Sequence, residues 1–137
     1  MRFMIIRKAD ADTEAGVPPT GELIQAMMDY HEEMARHMTI LGGDGLQPSS
    51  KGARVKFNDG KPVVLDGPFA ETKELIAGYS LVEAESLALV LEWAQRWPAI
   101  CGEANVELEI RQVFAPDDFA EFTPEMQAQA KRIGLNT

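Results

Sequence analysis

The chain opens on an apolar run, Met1 to Ile6, interrupted by Arg2 and followed at once by Arg7, Lys8 and Asp10. A run this short, met by charge, is read as a strand over 2–7 and as neither a signal peptide nor a membrane span. Residues 8–20 are rich in turn formers and predict a loop. Pro18-Pro19-Thr20 then sets up a helix start, with Thr20 as N-cap and Glu22 in the first turn, where the helix dipole favours an acid. Leu23, Met27, Tyr30, Met34, Met38 and Leu41 recur at helical spacing. They predict one amphipathic helix from 21 to about 39 with a Met-rich face, ended by Gly42-Gly43.

Beyond it, 45–48 is a short extended piece and Lys51-Gly52 a turn. Arg54, Val55, Lys56 and Phe57 alternate polar and apolar, the period of a half-buried strand. Asn58-Asp59-Gly60 signals a tight hairpin, and Pro62 to Leu65 returns as its partner, with Pro62 arguing for a sheet edge. Asp66-Gly67-Pro68-Phe69 breaks both regular structures. Residues 75–82 are apolar at nearly every position, which predicts a strand buried on both faces. Ser86 caps a second helix whose stripe is Leu87, Val90, Leu91, Ala94 and Trp97, stopped by Pro98. Val106, Leu108 and Ile110 alternate with charges to give a last strand through Phe114. Thr123-Pro124 starts a tail helix closed by Gly134.

The order is β, α, β-hairpin, β, α, β and a tail helix, without repeats or linkers. It predicts a single domain over 1–137, with a core over 1–115 and a tail over 116–137. The class is α+β, close to the ferredoxin-like split βαβ with an added β-hairpin and C-terminal helix. Two helices cover only one face of such a sheet. An apolar strand 75–82 would leave the other face exposed, so a two-fold homodimer is expected.

Asp66-Gly67-Pro68-Phe69-Ala70-Glu71-Thr72-Lys73-Glu74, followed by Ala77-Gly78-Tyr79, resembles the DGPF motif of the YCII-related family. Residues 43–48 and 109–113 resemble its flanking segments, so the likeness runs over about 1–119. The resemblance implies a dimeric α/β barrel of ferredoxin-like subunits. It also implies a possible partner, since some related proteins are encoded with, or fused to, extracytoplasmic-function sigma factors. A few distant relatives are small-molecule enzymes. The smaller members carry a histidine on the first helix, suggested to form an acid/base pair with an aspartate. Counted back from Gly43 that histidine falls near Ala26, whereas His31 lies more than a turn further along.

Charge narrows the function classes. The net charge is −9, and residues 66–109 carry nine acids against two bases. Without a basic stripe, direct nucleic-acid contact is not expected. The single cysteine, Cys101, excludes an internal disulfide and fits a reducing, cytoplasmic setting. Two histidines six residues apart on opposite flanks of a helix cannot share one ion, so no metal is expected. Ser-His-Asp chemistry is not expected, because no serine sits in a nucleophile turn, and no cofactor is expected, since Gly42-Gly43-Asp44-Gly45 lacks the spacing and lysine of a phosphate loop.

The remaining candidates are these. His31 borders the apolar stripe, ~60° from its centre, and can exchange a proton near neutral pH. His37 sits on the other flank near the helix end. Asp66 either stabilises its turn through backbone N–H groups or stands at a cleft mouth. Phe69 plugs the core or dimer contact, or walls a pocket. Glu71 and Lys73 are a solvated cluster or substrate contacts. Tyr79 brings a hydroxyl into an apolar strand. Arg111 either pairs with a glutamate or holds an anionic ligand. The function expected is small-molecule binding, with cofactor-free acid/base chemistry through His31 or Asp66 and with Phe69, Glu71, Lys73, Tyr79 and Arg111 as substrate contacts. The alternative is a non-catalytic regulatory or interaction module linked to a sigma factor.

Overall fold

The computed structural model describes residues 1–135 of the 137. The first strand, β1 (Arg2–Lys8), lies inside the main sheet. Its burial alternates strictly, with Phe3, Ile5 and Arg7 buried and Met4 and Ile6 half-buried. Period-two alternation sends one set under the helices and the other to the opposite face. A short helix, α1 (Ala11–Glu14), follows where a loop is expected from sequence. Asp10 accepts the Thr13 N–H and Thr13 reaches back to the Asp10 N–H, so a reciprocal cap stabilises a turn too short to show a period.

The first long helix, α2 (Gly21–Met34), starts as expected: Thr20 Oγ accepts the Leu23 N–H at 3.2 Å. It ends about one turn early. Met38, still buried, belongs to the turn that follows, and Thr39–Gly45 form a strand, β2. Helical spacing from Met34 to Met38 to Leu41 concealed this strand, and three glycines within it lower its strand propensity. Its ladder to β5 (Ile76–Glu83), from Thr39 opposite Glu83 to Gly45 opposite Gly78, overrides both signals.

Between them stand β3 (Ala53–Asn58) and β4 (Lys61–Asp66), joined by the expected turn with Asp59 and Gly60 at positive φ. This hairpin forms its own two-stranded sheet. Helix α3 (Leu87–Ala94) begins on the Ser86 cap and leads to β6 (Leu108–Gln112). The tail helix α4 (Pro124–Arg132) starts on Thr123, with Pro124 in its first turn.

The main sheet runs β2-β5-β1-β6, with every neighbouring pair antiparallel. With α2 after β1 and α3 after β5, this is a mixed α+β fold of ferredoxin-like order. The second core strand is β2, not the hairpin that the sequence assigns there. The core lies under α2 and α3, where Phe3, Met34, Val82 and Val90 are fully buried. On the other face, Leu81 of β5 is half-buried rather than enclosed. The strand is therefore covered on one face within the subunit.

Aromatic side chains fasten α2 to the chain segment around α3. The buried Tyr30 hydroxyl donates to the Trp93 carbonyl oxygen at 2.6 Å, and its ring meets Trp97 edge-on at 5.8 Å. Burial pushes the Tyr30 hydroxyl up to about 12, opposed only by Arg96. A phenol with a folded-state value above its unfolded one favours the folded state fully below the unfolded value, and that advantage is lost as the pH climbs past it. Urea unfolding should therefore show stability falling between about pH 10 and 12, and Tyr30→Phe should remove that part of the decline. At neutral pH the same substitution should cost about 0.5–1.5 kcal/mol, because the Trp93 carbonyl loses one of its two donors and keeps the Arg96 N–H at 3.0 Å.

Candidate functional site

Between α2 and the β2–β5 side of the sheet lies a cavity of 680 Å³. It exists because β2 and β5 carry glycine where side chains would fill the gap. Gly43 is the tightest of these positions. A Cβ there would lie 2.7 Å from the Tyr79 carbonyl oxygen and 3.1 Å from the Ser80 Cα. The walls are mostly apolar: Leu23, Ile24, Met27 and Met28 from α2, Ile5 and Ile40 from the sheet, and Trp97 beyond α3. Met28 and Ile24 stand at the mouth, 64% and 47% exposed.

Polar groups converge on this apolar space at two places. At the first, His31 Nδ1 lies 2.7 Å from the Met27 carbonyl oxygen and Nε2 lies 3.5 Å from Ser80 Oγ. A carbonyl only accepts, so Nδ1 must carry the proton, and Nε2 of the neutral ring is left as an acceptor. Tyr30 holds the ring edge-on at 5.3 Å. His31 is thus oriented at both ends, with its basic nitrogen beside a serine hydroxyl in the cavity wall.

At the second, Arg7 is the buried charge of the core. Its Nε and Nη2 reach Glu103 at 3.3 and 2.7 Å, Nη2 reaches Asp10 at 3.1 Å, and Nη1 donates to the Lys8 carbonyl oxygen. Trp97 Nε1 donates to Glu103 at 3.3 Å. Burial on its own would lower the Arg7 value, and the two carboxylates outweigh it and raise it. Burial would likewise raise Asp10, but the Thr13 N–H and the Arg7 guanidinium hold it below the usual carboxylate range. Both groups stay charged. A second, more polar cavity of 480 Å³ also reaches Arg7, Glu103 and Asp10 from the α1 side.

Of the residues singled out from sequence, His31 and Tyr79 border the larger cavity. Strand alternation turns the Tyr79 side chain away from that of Ser80, toward the face without helices. There its hydroxyl donates to Asp44 at 3.1 Å, and this hydrogen bond to a carboxylate raises the phenol above its ordinary value. Arg111 lies on the same open face, 3.3 Å from Glu109 of its own strand and largely exposed. Asp66 is exposed at the end of β4. Pro68 has no N–H to offer it, and the Phe69 N–H goes to Ser49 Oγ at 3.1 Å instead. Phe69 itself packs under the Arg54 guanidinium, 3.9 Å from its ring centre, at the base of the hairpin. Glu71 and Lys73 are exposed in the short turn over 71–74. Within one subunit the Asp66–Lys73 turn and Arg111 therefore stand apart from the His31 cavity. His37 falls past the end of α2 and lies against the Trp93 ring at 4.9 Å. Among the described residues no cluster of three His, Cys, Asp or Glu side chains has metal-holding geometry.

Sequence reasoning passed over Ser80, Arg7 and Glu103. Arg7 had a signal: it extends the Phe3, Ile5 series by one more step of two, which places a cation on the core face. Ser80 was hidden among the apolar residues of its strand, and Glu103 sits in a loop that carries no period.

Residues 1–114 match the family model described as the YCII-related domain. An uncharacterised protein of Rhizobium meliloti is 40% identical over 50 residues, which is 36% of this chain and 40% of that protein, so the match spans well under half of the curated relative. A solved structure of 5-chloro-2-hydroxyhydroquinone dehydrochlorinase from Burkholderia phenoliruptrix AC1100, in complex with 2,5-dihydroxybenzoquinone, overlaps with a TM-score of 0.44 at 17% identity. That overlap covers 83% of this chain and 94% of the other. Among the described residues no helix is long and apolar enough to cross a membrane.

Gly43→Ala should force Ser80 and the Tyr79 peptide apart, costing about 1–3 kcal/mol as a small-to-large change in a packed site. Chemical denaturation measures the cost. The His31 ring should also lose its fixed setting, which is read in its ring proton shifts.

Proposed function

The chain belongs to the YCII-related domain family, and we propose that it binds a small, largely apolar organic molecule in the 680 Å³ cavity and carries out cofactor-free acid/base chemistry on it. The observation that carries this reading is the His31 ring. Its Nδ1 is committed to the Met27 carbonyl, and its Nε2 is left as an acceptor at the wall of an apolar space. A base held at one nitrogen and offered at the other is the arrangement general base catalysis needs. Ser80 contributes a hydroxyl beside it that can hand a hydrogen bond to or from a bound molecule. The cavity lies within the size range of small-ligand sites, with few polar groups among apolar walls. His31 takes the proton-carrying role. Asp66, exposed at the end of β4, takes no part in proton transfer on this reading.

The working unit on this reading is a homodimer within the cell. Two surfaces support that. On the sheet face without helices, Met4, Ile6 and Leu81 form an apolar centre rimmed by Tyr79, Asp44, Glu109 and Arg111. On the hairpin, Val55 pairs with Val64 and Phe57 with Pro62, so these four share one face. Val55, Phe57 and Val64 are 57%, 67% and 66% exposed. Residues 51–65 carry four bases against one acid in a chain of net charge −9, so the hairpin is complementary to the rest of a second copy. Closing the open faces together would give a dimeric α/β barrel, with Tyr79 and Arg111 as contact residues.

Ligand-observed NMR with a library of uncharged ring compounds should find binders whose signals broaden with the wild type. Met28→Trp, which fills the mouth, should abolish that broadening. His31→Ala should leave binding within about tenfold while removing turnover of any hit that reacts, a loss of about 10²–10⁴-fold. Undiminished turnover in His31→Ala ends the acid/base assignment, and undiminished binding in Met28→Trp ends the cavity assignment.

For the assembly, sedimentation equilibrium should show a wild-type dimer. Phe57→Ser with Val64→Ser should weaken it by about tenfold or more, as expected for buried interface anchors. A monomeric wild type, or a double variant that dimerises as well as wild type, removes the hairpin from the interface.

A further inference from the structure

We infer that the His31 cavity selects an uncharged, hydroxyl-bearing ring compound over the matching carboxylate, and that the Arg7–Glu103 pair in its wall, with Asp10 bound to the same guanidinium, sets this preference. The inference rests on the cavity being the ligand site and narrows what enters it. A buried arginine in a cavity wall would ordinarily mark a carboxylate or phosphate site, because its planar fork suits two oxygens. Here that fork is already occupied. Four of its five N–H donors are engaged: Nε and one on Nη2 with Glu103, the other on Nη2 with Asp10, and one on Nη1 with the Lys8 carbonyl. The Arg7 and Glu103 side chains are only 10% and 13% exposed, so the Glu103 half of the arrangement is shielded from water.

The charge count points the same way. One guanidinium faces two carboxylates, which leaves the cluster one negative charge in excess. Asp44 also borders the cavity, but its carboxylate accepts the Tyr79 hydroxyl on the sheet face without helices and does not enter this count. His31, which also borders the cavity, commits its Nδ1 N–H to the Met27 carbonyl and meets the space with Nε2 as an acceptor. An incoming carboxylate would meet excess negative charge and a nitrogen lone pair. It would shed its own water and gain only the Ser80 hydroxyl and the one Arg7 N–H left over, too little to offset the burial of an ion. A neutral hydroxyl reverses each of these terms. It donates to His31 Nε2, can accept from Ser80, and buries its ring on Leu23, Met27 and Trp97 without leaving a charge unpaired.

The test uses two probes with one ring system, 2-naphthol and 2-naphthoate, titrated calorimetrically into the full-length chain at neutral pH. Naphthol is then neutral and naphthoate is an anion. Wild type should bind naphthol about tenfold more tightly or better, the scale of one like-charge encounter in a partly buried site. Asp10→Asn keeps a good N-cap residue for α1 while removing one negative charge, and Glu103→Gln removes the other. Each should shrink the ratio by raising naphthoate affinity, and a folded Asp10→Asn suffices if Glu103→Gln fails to fold. His31→Ala should weaken naphthol more than naphthoate. Naphthoate binding as tightly as naphthol to wild type would overturn the inference while leaving the cavity reading standing. A preference for naphthol unchanged in the charge variants would remove the cluster's role. If neither probe binds, the cavity reading fails and takes the inference with it.

Discussion

The two-residue period of β1 is the constraint on which the subunit depends. β1 is paired on both sides, by β5 and by β6, so its register is fixed by two ladders. A slip of one residue would exchange its faces, driving Met4 and Ile6 under the helices and Phe3, Ile5 and Arg7 out. Every feature of the site follows from the setting actually adopted. Ile5 supplies floor to the cavity, and Arg7 arrives on the buried face with its side chain only 10% exposed. Glu103 and Asp10 must then come to it, because a lone guanidinium at that depth would be untenable. The strand thus dictates where a charged cluster sits before any ligand is considered.

The cavity arises from what the neighbouring strands lack. Gly43 and Gly78 bring the backbones of β2 and β5 into close contact and put no side chains into the space beneath α2. The helix answers with long, flexible Met27 and Met28, which shape the space without filling it. On the helix side, rigid polar anchoring is confined to His31, oriented by the carbonyl one turn behind it and by the edge of the Tyr30 ring. An adaptable apolar wall with one fixed polar point suits a site that recognises a ring by shape and a single substituent by geometry.

Much of the fold was legible because its elements announce themselves by period and by caps. The α2 and α3 starts at Thr20 and Ser86, the turn at Asp59-Gly60 and the tail cap at Thr123 all stand where the residues place them. The family match over 1–114 agrees with the resemblance read from residues 66–79. What could not be read is equally physical. β2 is glycine-rich and continues a helical spacing, so only its ladder to β5 makes it a strand. The site was half legible: His31 is at the cavity because the flank of an amphipathic stripe is where a polar side chain can meet a cleft. The 66–73 turn carried the most recognisable letters, yet within the subunit it is held to Ser49 and Arg54 rather than to the cavity. A motif marks what its local structure requires, which need not be the chemistry.

The separation of the β3–β4 hairpin from the main sheet has a consequence for the molecule's internal breathing. It shares no ladder with β1, β2, β5 or β6, so its amides form a cooperative unit of their own. A two-stranded ribbon is marginal by itself, and its opening exposes backbone that the four-stranded sheet does not need for its own integrity. Amide protons over 53–66 should therefore exchange by local opening, on a faster schedule than those of β1, which is held by a ladder on each side. The chain carries two clocks, and the faster one belongs to the segment with the most apolar surface left uncovered.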